Sequence, residues 1–305
     1  MTARVCPACG RRDPVANGQL LWPAGWTCPG CRHQLPVQDG IGLTAPALAD
    51  TVTGFDPADF DFLARAELDH FWFVARRRLL LALIDKYAAR ARSFLEIGCG
   101  SGNVIGSLAG SRPWTRIAGT DIHPRGLSLA RARLPPSVEL FQADARSMPL
   151  HETFELAGAF DVLEHVAEDE AVIAGVRSAL VDGGVFLAAV PQHPALWSVA
   201  DEVGHHVRRY ERGELDRKLQ SGGFKILFST SYAVGLLPLM AASRVLARRR
   251  GAGAGDARSI AREEFSVAPG VNRLLTALLE AETALTRRGV RWPAGGSRVV
   301  TAQKI

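Results

Sequence analysis

Residues 93–108 read SFLEIGCGSGNVIGSL, placing Gly98, Gly100, Gly102 and Gly106 between an apolar run and a segment of helical character. Glycines let the backbone turn sharply and approach a ligand closely, and the N-terminus of the following helix offers unpaired amide donors. The spacing excludes two common ligands. A dinucleotide fingerprint would need a third glycine where Asn103 stands, and a Walker loop would need a Lys-Ser/Thr pair that is absent.

Outward from this turn, short apolar runs alternate with helical stretches. Strands are expected over 94–97, 116–121, 138–142, 154–160, 185–190, 225–231 and 298–303, and helices near 102–109, 125–133, 168–180 and 212–221. Such alternation predicts an α/β fold, a seven-stranded, mostly parallel sheet with helices on both faces. About 65 residues separate the last two strands, too many for a turn. They contain GLLPLMAASRVLARRR and PGVNRLLTALLEAETALTRRG around a Gly/Ala-rich GAGAGDA, and read as an inserted helical subdomain. Before the turn, residues 66–90 show helical spacing of Phe71, Val74, Leu79, Leu83 and Tyr87, preceded by a linker with Pro46, Gly54 and Pro57. The expected partition is a 1–45 module, a 46–65 linker, a 66–232 core, a 233–296 helical insertion and a last core strand at 297–305.

The first module carries Cys6-Pro-Ala-Cys9 and Cys28-Pro-Gly-Cys31. Two Cys-x-x-Cys pairs supply four thiolates for tetrahedral zinc, and four protein ligands make such a site structural. Disulfides and a lone redox pair are the competing readings; compartment disfavours the first and the presence of two pairs the second. His33 reads as a surface residue. About 40 residues with few large apolar side chains need a metal to supply folding free energy.

Composition sets outer bounds. The chain has 305 residues, 47% hydrophobic and 22% charged, with a net charge of +5 and no concentrated basic run. The N-terminus has no apolar segment of secretory type, which leads to the expectation of a cytoplasmic protein. The apolar stretch from Tyr232 is broken by Pro238 and Arg244 and falls short of a spanning helix.

Acidic residues fall at the ends of the expected strands: Glu96 before the first glycine, Asp121 after the second strand, Asp144-Ala145 after the third and Phe160-Asp161 after the fourth. That edge of an open parallel sheet is where ligands bind, and a carboxylate at Asp121 suits both hydroxyls of a ribose. As a set, LEIGCGSG, IAGTDIHP, FQADARSMPL, LAGAFDVLEHV, LVDGGVFLAAVP and SGGF resemble the class I S-adenosylmethionine-dependent methyltransferases, whose fold is Rossmann-like. HFWFVARRR and WSVADEVGHHVRRYERGEL look like a bacterial, small-molecule branch. The resemblance implies that Gly98 and Gly100 approach the methionine portion of the cofactor, with Glu96 supporting its amino group. It further implies that Asp121 binds the ribose, Asp144 the adenine amino group and Ala145 the adenine face, with Cys99, Ile122 and Phe160 completing the cofactor set. Glu155 stands where the family often has aspartate.

Methyl transfer from a sulfonium needs positioning and exclusion of water, with a base where the acceptor carries a proton. His165, His193 and His206, with Tyr210, cluster after the fourth and fifth strands as catalytic candidates. Arg208 and Arg209 suit an anionic substrate group, and Trp72 an apolar one. The leading expectation is transfer to an oxygen of a natural-product, lipid-like or sugar-like small molecule. DNA is excluded as a target because no Asn/Asp-Pro-Pro-aromatic tetrapeptide occurs. Two alternatives stand beside it: ribosomal RNA methylation guided by the cysteine module, and a non-enzymatic docking protein on a degenerate methyltransferase fold. The insertion, with Arg248, Arg249 and Arg250, caps the substrate in the favoured reading and touches a membrane surface weakly in the other. The sequence specifies no oligomeric state.

Overall fold

The computed structural model describes residues 2–16, 18–49, 51, 56, 59–250 and 265–305, the side chains of 247–250 excepted. The expected GAGAGDA connection, the linker residues Gly54 and Pro57, and the side chains of Arg248, Arg249 and Arg250 lie outside the described residues.

The N-terminal module forms β1 (Ala3–Val5), β2 (Arg12–Pro14), β3 (Val37–Gln38) and β4 (Ile41–Leu43). Two helices follow, α1 (Phe60–Asp69) and α2 (Phe71–Tyr87). The core then runs β5 (Ser93–Ile97), α3 (Asn103–Ala109), β6 (Arg116–Asp121), α4 (Pro124–Arg133), β7 (Val138–Gln142), β8 (Leu150–His151), β9 (Phe154–Phe160), α5 (Asp169–Ala179) and β10 (Leu180–Pro191). It continues through α6 (Val199–Val203), α7 (Glu214–Ser221), β11 (Phe224–Tyr232), α8 (Leu237–Arg250), α9 (Pro269–Arg287) and β12 (Ser297–Lys304).

The seven expected core strands form one sheet in the order β11-β12-β10-β9-β5-β6-β7. All neighbours are parallel except β12, which runs antiparallel to both β10 and β11. The central strands are apolar and buried along their length, as strands covered on both faces must be; every residue of β5 is buried. The observed sheet is larger than the expected seven strands, because β4 adds parallel to β7 and β3 antiparallel to β4. A separate three-stranded sheet joins β1 to β2 and to β8.

The module is therefore built into the core's edge. Its Leu21, Trp22, Trp26 and Leu35 belong to the same buried cluster as Ile97, Phe141, Phe154 and Ile173. Trp22 packs edge-on to Trp26 at 5.0 Å and lies 6.5 Å from Phe141. Glu139 on β7 accepts the Leu21 N–H at 2.6 Å and pairs with Arg116 at 2.7 Å, while Arg116 also donates to the Gln19 carbonyl at 2.8 Å. The opposite face of the sheet is covered by α2, α3 and α4, with α9 packed on α2.

Two boundaries differ from expectation. Residues 60–65, read as linker, begin α1, whose Phe60, Leu63, Ala64 and Glu67 follow i, i+3, i+4, i+7 spacing. The single helix expected over 66–90 breaks at His70, which adopts extended backbone (φ −67°, ψ 131°) and caps α2 by accepting the Trp72 N–H at Nδ1. Among the described residues no helix is long and apolar enough to cross a membrane, although α8 and α9 expose Leu239, Val245, Val271 and Leu274.

Strand order reverses between β5 and β9, so the loops leaving them diverge to opposite faces and open a crevice. Gly98 leaves β5 at φ +66°, and a Cβ there would overlap Val162 Cγ2 just past β9. Gly98→Ala is expected to lower the unfolding free energy by about 2–4 kcal/mol in denaturant titration. Adding Val162→Ala should recover only part of the loss, since the left-handed backbone remains; full recovery would show that the overlap alone matters.

Candidate active site

The crevice widens into a cleft of about 1110 Å³ at the C-terminal edge of the sheet. One end is made of backbone and carboxylates. Gly98, Gly100 and Ser101 line it, leading into α3 through Gly102 at φ +85°. The Gly100 N–H donates to Asp121 Oδ2 at 3.0 Å and the His123 N–H to Oδ1 at 2.9 Å, so the carboxylate is fixed at the tip of β6 with acceptor capacity to spare. Burial raises the Asp121 carboxyl, and these amide donors oppose the rise. Asn103, where a dinucleotide turn would have glycine, is tied by its side-chain oxygen to Arg77.

Asp144 follows β7 and lines the cleft beside Ile122, Ala143 and Ala145. Its carboxylate caps the next turn through the Arg146 N–H at 2.9 Å and carries the Arg146 guanidinium at 3.0–3.1 Å. From above, α1 covers this end: a Cβ on Gly126 would lie 2.8 Å from Phe60, and Glu67 bonds the Ser101 hydroxyl.

The other end is aromatic and apolar, lined by Trp72, Phe73, Trp197, Met240 and Phe265, with Phe160 below. A polar group is set into it. His165 and His206 meet edge to face at 4.7 Å, and His206 Nδ1 lies 2.8 Å from Asp201 Oδ1. Asp201 also accepts from Ser198 N–H at 2.8 Å, Ser198 Oγ at 2.9 Å and Arg209 Nε at 2.7 Å. Burial alone would raise its carboxyl, but His206 and Arg209 hold it down at about 2. Beside them Glu164 is wholly buried, and burial pushes its carboxyl up to about 8 despite the nearby Arg76 and Arg209. Arg76 itself pairs with Asp161.

Several expected residues do not reach the cleft. Tyr210 is fully buried behind it, donating to Asp169 Oδ2 at 2.6 Å, and burial pushes its phenol far up. A side chain so held is no proton acceptor for a substrate. His193 is absent from the lining, and burial followed by Arg209 lowers its pKa. Arg208 is spent on Asp169 at 3.0 Å and the Ala167 carbonyl at 2.7 Å, outside the lining. Arg209 does line the cleft, but its charge is taken by Asp201. The expected anion clamp of Arg208 and Arg209 is thus replaced by two internal ion pairs.

Cys99 and Glu96 lie beneath the turn rather than on it. The Cys99 thiol packs where Gly119 leaves room, and Glu96 is buried with Oε2 lacking a hydrogen-bond partner among the described residues. Glu155 sits at the far end of β9, accepting the Arg92 N–H, away from the cleft. The residues missed from sequence are Phe60 and Glu67 on α1, Arg76 on α2, Glu164 and Asp201. The 60, 63, 64, 67 spacing was the available signal for α1; the others are ordinary charged residues until folded.

Residues 95–188 match the family described as "Methyltransferase domain". A probable S-adenosylmethionine-dependent methyltransferase of Mycolicibacterium smegmatis is 26% identical over 52% of this chain and 61% of its own length. A trans-aconitate 2-methyltransferase of Streptomyces coelicolor is 33% identical over 37% of this chain and 39% of its own. The chain thus spans less than two thirds of the length of these curated relatives. The fold is shared with magnesium protoporphyrin IX methyltransferase from Synechocystis, crystallised with bound SAH, at a TM-score of 0.52 and 13% identity, covering 81% of this chain and 95% of that one. Fold, glycine turn and family match together support a methyltransferase domain of the class I S-adenosylmethionine-dependent type in this chain, matched directly over residues 95–188.

Proposed function

We propose that the protein transfers the methyl group of S-adenosylmethionine to an oxygen of a small, largely apolar acceptor, as a hydroxyl or phenol. The observation that carries this reading is the single cleft whose two ends differ: backbone and carboxylates around Gly98, Gly100, Asp121 and Asp144, then aromatics around His165 and His206. The bound cofactor supplies an electrophilic methyl on a sulfonium. Asp121 takes the ribose hydroxyls, Ala145 and Ile122 pack on the adenine, and Asp144 meets its amino group. The carboxylates of Glu67 and Asp121, both on the cleft wall, favour a cationic ligand.

At the other end, Trp72, Phe73, Met240 and Phe265 exclude water and hold the acceptor, and α8 contributes to that wall through Met240. The new carbon–oxygen bond forms from an oxygen lone pair as the carbon–sulfur bond breaks and its electron pair returns to sulfur; the hydroxyl proton leaves past His165 and His206 to water. A polycarboxylate acceptor, as in the name of the Streptomyces relative, is disfavoured because Arg76 and Arg209 are already paired.

The N-terminal module is read as a structural zinc site. Cys6 and Cys31 sulfurs lie 3.7 Å apart, as do those of Cys9 and Cys28, and all four fall within 4.8 Å of one another. A tetrahedron with about 2.3 Å zinc–sulfur bonds has edges of about 3.8 Å. Because its apolar residues are part of the core, the metal stabilises the edge of the sheet.

Three outcomes test this reading. Asp121→Ala should weaken S-adenosylhomocysteine binding about 10- to 100-fold in calorimetry while zinc stays at one per chain; unchanged affinity would remove the ribose assignment. Cys28→Ser should lose the zinc found by elemental analysis and lower the thermal midpoint, whereas retained stability would mean the metal is dispensable. Against acceptor panels, phenols and hydroxylated lipids should be methylated and His165→Ala should cut kcat about 100-fold with little change in cofactor affinity; turnover of tricarboxylates alone would overturn the acceptor class.

A further inference from the structure

Glu164, His165 and His206 carry one feature that methyl transfer to a simple hydroxyl does not require. One donor atom from each lies within 4.8 Å of the other two, on the acceptor end of the cleft. Glu164 is 0% exposed, and neither carboxylate oxygen has a hydrogen-bond partner among the described residues. The two nearby guanidinium groups are already engaged, Arg76 by Asp161 and Arg209 by Asp201. A buried carboxylate without a partner is costly, and a bound cation is one way to offset that cost.

The histidine geometry points the same way. His206 turns Nδ1 to the Asp201 carboxylate, which leaves Nε2 for a ligand. A carboxylate behind a histidine fixes its tautomer and orientation and makes the free nitrogen a stronger donor. Asp201 is itself locked by Ser198 and Arg209, so the imidazole has little freedom to turn away. Two imidazoles and one carboxylate suit a divalent first-row transition ion and leave coordination positions for other oxygens.

We propose that Glu164, His165 and His206 bind a divalent transition-metal ion that holds the acceptor oxygen at the methyl-transfer end of the cleft. The role of the ion rests on the methyltransferase reading above; its binding does not. Coordination orients the acceptor and lowers the pKa of its hydroxyl, whose proton passes to water before the oxygen lone pair takes the methyl carbon and sulfur keeps the electron pair. Asp201 is a positioning residue acting through His206.

The test uses the full chain with its cysteine site loaded with zinc, titrated with Co2+ alone. One further equivalent should bind with visible d–d bands and no thiolate charge-transfer absorption, marking nitrogen and oxygen ligands. Glu164→Gln and His206→Ala should each weaken Co2+ at least about 10-fold, and Asp201→Asn about 10- to 100-fold. S-adenosylhomocysteine affinity of the same variants should stay within about twofold, which shows that they are folded. No saturable Co2+ binding by the unaltered protein, or binding indifferent to Glu164→Gln and His206→Ala, would overturn the proposal. Cofactor binding measured on the same samples separates a failed cation site from a failed methyltransferase reading.

Discussion

The close approach of two loops at the point where strand order reverses governs the rest of the structure. β5 and β9 are neighbours, and the chain leaves each at the same edge through Gly98 and through Asp161-Val162. Only a residue without a side chain allows the first turn at φ +66° against Val162. With that turn in place, the start of α3, Asp121 at the tip of β6 and Asp144 after β7 fall along one wall, while Glu164 and His165 follow directly from the second loop. Both ends of the cleft are therefore set by a single backbone constraint.

The additions to this core work at its margins. The cysteine module lengthens the sheet beyond β7 and shares its buried cluster, so it serves the stability of the edge farthest from β11. By contrast, α1, α2 and α8 reach the cleft, through Phe60, Trp72 and Met240 respectively. Trp72 and Met240 stand with Phe73, Trp197 and Phe265 in an aromatic, apolar wall, and Arg76 carries the Asp161 carboxylate into the same cleft.

Much of the fold was legible because its signals are local. Alternating apolar runs gave the seven core strands, glycine spacing gave the turn, and two Cys-x-x-Cys pairs gave the module. The docking of β4 on β7 was not legible, since three residues, Ile41-Gly42-Leu43, carry too little periodicity to announce a strand. The position of Gly98, Gly100, Asp121 and Asp144 on the cleft wall was readable because strand ends fix where such residues go. Tyr210 and Arg208 misled because sequence gives proximity along the chain but not the partner each side chain finds, here Asp169 for both. Glu164 and Asp201 were invisible for the same reason: their importance comes from burial and from neighbours distant in sequence.

The central claim is that one cleft holds cofactor and acceptor end to end, and a crystal structure with S-adenosylhomocysteine tests it most directly. The account predicts ribose hydroxyls on Asp121, adenine between Ile122 and Ala145, and the sulfur facing His165 and His206. A ligand bound elsewhere, or one whose sulfur faces Asp144 while adenine fills the aromatic end, would contradict it.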